Sequence, residues 1–455
     1  MTINKIEGRM GVKKKNKKNT NKKDNTVKER VNEERTVITV EKEERKEVKE
    51  RIEQNTQSEW NIGLIGHVDH GKTTIAKALS GVWTSKYSEE LERGITIRIG
   101  YADFSIYKCP KCFEPECYTS KKVCQYCGSE TKFLRKISIV DTPGHESLMA
   151  VMLSGASVMD GAIMVIGANE KCPRPQTAEH LVALSILGIK NVIIVQNKVD
   201  LVSKEEAKEN YAQIKAFVKD VFPDARIIPI AATYDANIDV LIKAIKDMAE
   251  KGIEEKIKSE KEQFYMHVIR SFDVNRPGKG ITEMNGGVIG GSIQRGSIKV
   301  GDEIEIKPGI TIKNKFHPLT TKVFELYGGG VKVDNAKPGG LISIGTTLDP
   351  SVTKGDGITG NVVGLKGTLP EPVYKLNVKI SLFKNLITIG EIKPFVQNES
   401  IMISVGTALR VGTIRDVKKG EIELFNPVCV EKGQRIAIGR RFSTAWRLIG
   451  YGIVK

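Results

Sequence analysis

Residues 66–73 read Gly66-His67-Val68-Asp69-His70-Gly71-Lys72-Thr73 and match the pattern G-x-x-x-x-G-K-[ST] of a phosphate-binding loop. In such a loop the glycines let backbone N–H groups turn toward phosphate oxygens, and the lysine reaches the β and γ phosphates. The Thr73 hydroxyl can bind Mg²⁺. The pattern by itself predicts a nucleoside triphosphate ligand. We expect its contacts to come from Val68, Asp69, His70, Gly71, Lys72, Thr73 and Thr74.

Two further motifs follow in the order that a GTP-binding domain requires. They are Asp141-Thr142-Pro143-Gly144 and Asn197-Lys198-Val199-Asp200. The two carboxylate oxygens of Asp200 can accept hydrogen bonds from the N1–H and N2–H₂ groups of guanine, which adenine does not present. The three motifs together therefore predict GTP and GDP as ligands, with Asn197, Lys198 and Asp200 at the base.

The same motifs supply candidates for hydrolysis, which needs charge neutralisation and a positioned water. Thr73 and Thr96 can place hydroxyls on Mg²⁺, and Asp141 can hold a metal-bound water. Gly144 lets its N–H approach the γ-phosphate closely because it lacks a Cβ. His145 follows directly and can orient the attacking water, although a histidine taken alone is more often structural. The imidazoles of His67 and His70 are interpreted as loop packing, because Mg²⁺ prefers oxygen ligands.

Composition indicates the kind of partner. The 455 residues carry a formal net charge of +16, which favours a polyanion such as RNA, with an acidic protein as the less specific alternative. No apolar run approaches the roughly 20 residues that cross a bilayer, and the polar N-terminus has no secretory h-region. We expect a cytoplasmic protein without a membrane partner.

The chain divides into segments that differ in composition and in the pattern of their apolar residues. Residues 1–58 are basic and poor in large apolar residues, which predicts a disordered extension. Residues 59–251 alternate short apolar runs with amphipathic stretches, typical of an α/β domain with a mainly parallel sheet. Residues 252–262 are charged and are interpreted as a linker. Short strands and glycine-rich turns then predict two β-barrel domains, at 263–367 and 368–455.

Within the α/β part, each element is predicted from its apolar pattern. The predicted strands are 61–65, 137–140, 162–166, 192–196 and 226–230, and the predicted helices are 73–80, 176–187 and 204–221. The nucleotide motifs then fall at the carboxyl ends of strands, where open α/β sheets bind ligands.

Two C-x-x-C turns lie between Thr96 and Asp141. Cys109, Cys112, Cys124 and Cys127 can place four thiolates around a structural Zn²⁺ in a knuckle over residues 109–127. An iron–sulfur cluster or free thiols are the alternatives, but nothing else in the chain indicates redox chemistry. Cys117 lies inside the loop and could replace one ligand.

Several longer stretches resemble one protein family. The phosphate loop, Arg93-Gly94-Ile95-Thr96-Ile97 and the segment from Asp141 to His145 are similar to the translational GTPases related to elongation factor Tu. Segments outside the nucleotide motifs resemble, within that group, the gamma subunits of archaeal and eukaryotic translation initiation factor 2. These segments are 172–180, 270–278, 338–341 and 446–452.

The resemblance implies a subunit that works with alpha and beta subunits and carries methionylated initiator tRNA to the small ribosomal subunit. It also implies a GTPase-activating partner, Mg²⁺ at Thr96, and the water-positioning role of His145. The family's base-binding segment usually reads Ser-Ala. Here it reads Ala231-Ala232, so one hydroxyl is missing, but we expect the Ala232 N–H to meet guanine O6.

Two other functions are kept as hypotheses. The first is an elongator-type GTPase that carries another aminoacyl-tRNA, such as the selenocysteine-specific factor; the segment 446–452 and the cysteine insert argue against it. The second is an RNA scaffold that binds GTP with negligible hydrolysis, and His145 argues against that role.

Overall fold

The computed structural model describes residues 57–84, 96, 99–145, 148–276, 278, 280, 284–313, 315–383, 385–386, 390–442 and 445–455. These residues belong to one compact unit that runs from residue 56 to the end of the chain. The predicted N-terminal extension, residues 1–58, lies outside the described residues except for Gln57 and Ser58.

The nucleotide-binding domain is built on a seven-stranded sheet with the order β3-β2-β4-β1-β5-β6-β7. Strands β4, β1, β5, β6 and β7 pair in parallel, whereas β2 and β3 add an antiparallel edge. The prediction of a mainly parallel sheet is therefore confirmed. The strands are β1 Trp60–Gly66, β2 Gly100–Lys108, β3 Tyr118–Thr119, β4 Lys132–Asp141, β5 Gly161–Gly167, β6 Asn191–Asn197 and β7 Arg226–Pro229.

Helices cover the sheet because its central strands are apolar on both faces: all residues of β1 and β5 are buried. The helices are α1 Lys72–Ser80, α2 Met149–Ala156, α3 Pro175–Leu187, α4 Lys204–Val218 and α5 Ile238–Ser259. Gly81 and Gly188 end α1 and α3 in the left-handed conformation that glycine adopts without strain. Among the helices that the structure describes, none has the length and hydrophobicity needed to cross a membrane.

Helix α5 occupies most of the segment interpreted as a helix end and linker. It continues to Ser259, so most of the predicted linker 252–262 is helical. Oppositely charged residues four positions apart, such as Lys246 and Glu250, support a helix even where the sequence is strongly polar. The domain boundaries given above stay predictions.

Two closed six-stranded β-barrels follow, as the turn-rich sequence predicts. In the first, β12 pairs with both β15 and β11 and closes the ring β11-β16-β8-β9-β15-β12. Its elements are β8 Tyr265–Phe272, β9 Val288–Arg295, β10 Ile298–Lys299, β11 Glu303–Ile312, β12 Lys315–Gly328, β13 Val331–Val333, β14 Asn335–Ala336, β15 Ile342–Thr346, α6 Pro350–Thr353 and β16 Val362–Leu365.

The second barrel closes in the order β17-β22-β21-β20-β23-β24. Its interior is filled by alternating aliphatic residues such as Ile401, Ile403, Ile436 and Ile438. The strands are β17 Val373–Leu382, β18 Asn385–Leu386, β19 Gly390–Glu391, β20 Ser400–Val405, β21 Ala408–Asp416, β22 Glu421–Val428, β23 Arg435–Phe442 and β24 Ala445–Val454.

Both barrels contact the nucleotide-binding domain. The Asn61 side chain on β1 donates to Ser292 Oγ of the first barrel at 2.9 Å. Leu181 of α3 shares a core with Met402 and Leu448 of the second barrel. Helix α3 is therefore packed between the sheet of the nucleotide-binding domain and the second barrel.

Candidate nucleotide-binding and metal site

The phosphate loop connects β1 to α1, and its shape depends on three residues with positive φ. Gly66, Asp69 and Gly71 have φ values of 149°, 62° and 90°. A Cβ on Gly71 would lie 2.3 Å from the Asn197 side-chain nitrogen, so only glycine fits there. Within this loop and the start of α1, Asp69 is exposed, whereas Val68, Thr73 and Thr74 are half-buried.

Lys72 is the cation of the loop. Its side chain donates to the carbonyl oxygen of His67 at 2.8 Å and only 6% of the residue is exposed. Burial lowers the pKa of Lys72 to about 8, although Asp141 and Asp69 oppose the shift. A desolvated ammonium group at this position favours an anionic ligand, because phosphate oxygens restore the interactions that water cannot provide.

The three residues predicted to hold Mg²⁺ lie together. Thr73 Oγ1 donates to Asp141 Oδ2 at 2.8 Å and lies 3.2 Å from Thr96 Oγ1. Asp141 is fully buried at the end of β4. Two hydroxyls and a carboxylate form the oxygen-rich set that Mg²⁺ prefers, so the donor set fits this ion.

Thr84 also contacts Asp141, but no sequence motif predicted this contact. Its hydroxyl donates to Asp141 Oδ2 at 2.6 Å. A Cβ on Gly100 would lie 2.8 Å from the Thr84 Cβ, so the start of β2 holds Thr84 in place. A threonine without a motif around it cannot be distinguished from any other by sequence alone.

The segment after Asp141 packs against the phosphate loop. A Cβ on Gly144 would lie 2.6 Å from both the Gly66 carbonyl oxygen and Lys72 Nζ, so this position excludes every side chain. His145 follows and is exposed. Its role in positioning water stays a prediction.

The histidine at the centre of the loop is buried. His70 is 1% exposed, with Nδ1 at 2.9 Å from the Val165 carbonyl oxygen and Nε2 at 3.4 Å from Glu170. Burial lowers the pKa of His70 to about 4, so the ring is neutral near pH 7. These contacts pack the His70 side chain beneath the loop, as the sequence predicts.

The base-recognition motif is tied to the phosphate loop through Asn197. Its side-chain nitrogen donates to the His70 carbonyl oxygen at 2.9 Å, and its oxygen accepts the Ala232 N–H at 3.2 Å. The sequence prediction gave that N–H to guanine O6, but in the structure Asn197 takes it. Ala231 is buried beside it, and Lys198 has a left-handed φ of 64°. Asp200 is exposed, as recognition of a base edge requires.

The four cysteines of the two C-x-x-C turns converge. Their sulfur atoms all lie within 4.8 Å of one another, with Cys109 3.4 Å from Cys127 and Cys112 3.7 Å from Cys124. A tetrahedral Zn²⁺ with Zn–S bonds of about 2.3 Å requires sulfur atoms about 3.8 Å apart, so the donor set fits zinc. Cys117 is buried and does not belong to the cluster.

The cysteine knuckle is anchored on α5. Tyr126 donates to Asp239 at 2.9 Å, and Lys243 pairs with Glu114 at 3.2 Å. Cys109, Cys124 and Tyr118 also join the core beneath the sheet. The knuckle is therefore a packed part of the domain.

Comparison with known proteins places this site in a family. Residues 57–251 match the family described as "Elongation factor Tu GTP binding domain", and residues 374–454 match "Initiation factor eIF2 gamma, C terminal". Among solved structures, the chain is similar to bacterial selenocysteine-specific elongation factor EF-Sec, with 26% identity and a TM-score of 0.67 over 87% of this chain and 58% of that one. It also shares its fold with elongation factor SelB from Methanococcus maripaludis in complex with GppNHp, at 24% identity and a TM-score of 0.66, over 88% of this chain and 79% of that one.

Curated relatives share more sequence identity with this chain than these two solved structures do. Translation initiation factor 2 subunit gamma from Methanococcus maripaludis strain C7 is 52% identical over 410 residues, covering 88% of this chain and 99% of the relative. The subunit of the same name from Pyrococcus horikoshii is 52% identical over 409 residues, covering 88% and 98%. The chain thus belongs to the family of translation initiation factor 2 gamma subunits, which are translational GTPases.

Proposed function

We propose that this GTPase, together with alpha and beta subunits, carries methionylated initiator tRNA to the small ribosomal subunit in the cytoplasm. The observation that supports the proposal most directly is the meeting of Thr96 and Asp141 at Thr73. These residues come from the first switch, the start of the second switch and the phosphate loop. A metal held between them makes the position of both switches depend on the nucleotide.

A contact between the nucleotide-binding domain and the second barrel also supports the proposal. Helix α3 buries Glu179, which accepts from Arg447 of the second barrel at 3.1 Å. Both residues lie in segments that carry the family resemblance. Loss of one partner would leave a buried charge uncompensated, so this contact ties barrel and helix together.

Within the site, each group has a proposed role. The loop residues from Val68 to Thr74 and Gly144 bind the phosphates, and Lys72 neutralises them. Asn197 shapes the base pocket with Lys198, Ala231 and Ala232, and Asp200 selects guanine. Hydrolysis is slow until a GTPase-activating partner acts, because such domains reach their full rate only when a partner acts in trans. When bound, Mg²⁺ neutralises charge on the phosphates, and the four-cysteine set holds Zn²⁺ as a structural ion.

Transfer RNA binding tests the proposal. Because nucleotide-dependent switch order controls the tRNA surface, we expect the GTP-bound protein to bind methionyl initiator tRNA at least about tenfold more tightly than the GDP-bound protein. Affinity should fall as salt rises, because phosphate contacts release counterions. Filter binding with initiator and elongator tRNAs measures both effects. Equal affinity for all aminoacyl-tRNAs would argue for an elongator-type carrier, and equal affinity with GTP and GDP would contradict the switch.

Asp200→Asn tests the choice of guanine. The oxygen of the new side-chain amide can still accept from the guanine N1–H, but its NH₂ group faces the guanine amino group, donor against donor. GTP affinity should therefore fall roughly 100-fold. Xanthosine triphosphate has an oxygen at the position of that amino group and should gain affinity. Calorimetry with both nucleotides measures the change. Asp220→Asn, at an exposed carboxylate of the same domain, is the control. Unchanged GTP binding by Asp200→Asn would remove its role.

His145→Ala tests the catalytic role. Loss of a water-positioning group typically reduces the rate by about 10²–10⁴-fold, so single-turnover hydrolysis with ribosomal complexes should fall in that range while GTP affinity stays within about twofold of the wild type. His317→Ala, at another exposed histidine, should retain the rate. If wild type and His145→Ala hydrolyse GTP at the same rate, His145 has no part in catalysis.

Metal analysis tests the cysteine site. We expect one zinc per chain by mass spectrometry of the purified protein, lost in the double variant Cys112→Ser/Cys124→Ser together with a lower melting temperature, because metal binding stabilises the folded knuckle. Cys117→Ser should keep the metal, since that sulfur lies outside the cluster. Loss of zinc from Cys117→Ser and not from the double variant would reverse the ligand assignment.

A further inference from the structure

The second C-x-x-C turn of the knuckle contains a tyrosine that reaches another element of the domain. Tyr126 lies between Cys124 and Cys127, and its hydroxyl donates to Asp239 Oδ2 at 2.9 Å. Asp239 belongs to the first turn of α5 and is only 7% exposed. One hydrogen bond therefore joins the metal-binding turn to a buried carboxylate at the start of α5.

The carboxylate of Asp239 accepts two hydrogen bonds. Its Oδ1 accepts the Val240 N–H at 2.9 Å, and its Oδ2 accepts the Tyr126 hydroxyl. A buried carboxylate oxygen that loses its donor is costly, because water does not readily replace the lost hydrogen bond. The Tyr126 hydroxyl therefore holds the start of α5 against the knuckle.

The start of α5 is also the end of a loop that reaches the predicted base site. This base loop, residues 231–237, contains Asp235 and Asn237 with left-handed φ values of 55° and 60°. Such a conformation costs energy in residues other than glycine and persists where surrounding contacts hold it. The Asn237 side chain donates to the Pro229 carbonyl oxygen at 2.9 Å. The shape of the base loop thus depends on contacts at its ends.

Hydrogen bonds carry the position of α5 through the base loop to the nucleotide motifs. Ala231 and Ala236 each donate their N–H to the carbonyl oxygen of the other, at 3.3 and 3.2 Å. The Ala232 N–H then donates to Asn197 Oδ1 at 3.2 Å, and the Asn197 side chain donates to the His70 carbonyl oxygen at 2.9 Å. A contiguous set of bonded residues therefore leads from the start of α5 to the phosphate loop.

Other contacts join the knuckle to the base loop. Lys121 of the knuckle pairs with Asp235 at 3.5 Å, but both side chains are more than half exposed, so this pair contributes little. Cys109 and Cys124 share a hydrophobic core with Ala232. The knuckle and the base loop thus pack into one core, and the Tyr126 hydroxyl adds a directional bond beside it.

We propose that Tyr126 is a positioning residue for guanine nucleotide binding: its hydroxyl fixes Asp239 and thereby holds the base loop where Ala232 meets Asn197. The inference rests on the proposed roles of Ala232 and Asn197 at the base. It gives the zinc knuckle a part in nucleotide affinity, because loss of the metal releases the turn that carries Tyr126.

Tyr126→Phe keeps the ring and removes only the hydroxyl. We expect GDP to dissociate about fivefold faster than from the wild type, the effect of roughly one hydrogen bond, while the zinc content stays unchanged. Stopped flow with a fluorescent GDP derivative gives the rate, and mass spectrometry gives the zinc content. Tyr374→Phe, at an exposed tyrosine of the second barrel, is the matched control and should keep the wild-type rate. An unchanged rate in Tyr126→Phe would overturn the proposal.

The same measurement in an Asp239→Ala background separates this hydrogen bond from any other role of the tyrosine. Because both substitutions remove one interaction, Tyr126→Phe should change the rate by less than about 1.5-fold in that background. If the effect of Tyr126→Phe is as large there as in the wild type, the tyrosine does not act through Asp239 and the proposal fails.

Hydrogen exchange distinguishes positioning from a general loss of stability. In Tyr126→Phe, the amides of residues 231–239 should exchange faster, whereas those of β20 in the second barrel should exchange as in the wild type. Equal acceleration throughout the chain would contradict a specific role in holding the base loop.

Zinc removal needs no substitution and covers the case in which a variant does not fold. Treatment of the wild-type protein with a zinc-selective chelator in excess Mg²⁺ should accelerate GDP dissociation at least as much as Tyr126→Phe does. The metal-free wild type and the metal-free variant should then release GDP at the same rate. Unchanged release by wild-type protein that has lost its zinc would overturn the inference. A wild-type protein that binds no guanine nucleotide would instead contradict the proposed function itself.

Discussion

The buried carboxylate of Asp141 is the constraint on which the site depends. It lies at the end of β4, fully excluded from solvent, and accepts from Thr73 at 2.8 Å and from Thr84 at 2.6 Å. Because an ionised carboxylate is costly to bury without donors, these hydroxyls must stay in place for the fold to tolerate it. Asp141 thus bonds directly to Thr73 of the phosphate loop, and Thr73 in turn contacts Thr96, so the three residues predicted to hold Mg²⁺ meet at this point.

The sequence predicted those parts of the site that are contiguous in the chain. The phosphate loop, Asn197 and Asp200 at their strand end, and the cysteine pairs could be found because their spacing itself encodes a geometry. Contacts between residues that are distant in sequence could not be predicted. No motif surrounds Thr84 or Glu170, and the hydrogen bond from the Ala232 N–H to Asn197 depends on how two loops meet. The mainly parallel sheet and the two barrels followed from apolar periodicity and turn residues. The length of α5 did not, because charge pairs along a polar helix resemble a linker in sequence.

Several stretches that distinguish this family from other translational GTPases lie where domains meet. Gly339 and Gly340 pack against the backbone of Ser58 and Glu59, and a Cβ on either residue would approach that backbone within 2.6 Å. Arg447 reaches Glu179 across another boundary. Between the two barrels, Arg295 pairs with Glu431 and stacks on Tyr265. The glycine pair and Arg447 lie in segments that carry the family resemblance, and they hold the nucleotide-binding domain against its barrels.

Helix α5 connects the cysteine knuckle to the first barrel. Its 22 residues span about 33 Å, from Asp239 beneath Tyr126 to Ser259, whose carbonyl accepts the Gly296 N–H of the first barrel at 2.9 Å. One continuous element of secondary structure therefore joins the knuckle to the first barrel, and the packing of the knuckle supports one end of a helix whose other end bonds to that barrel.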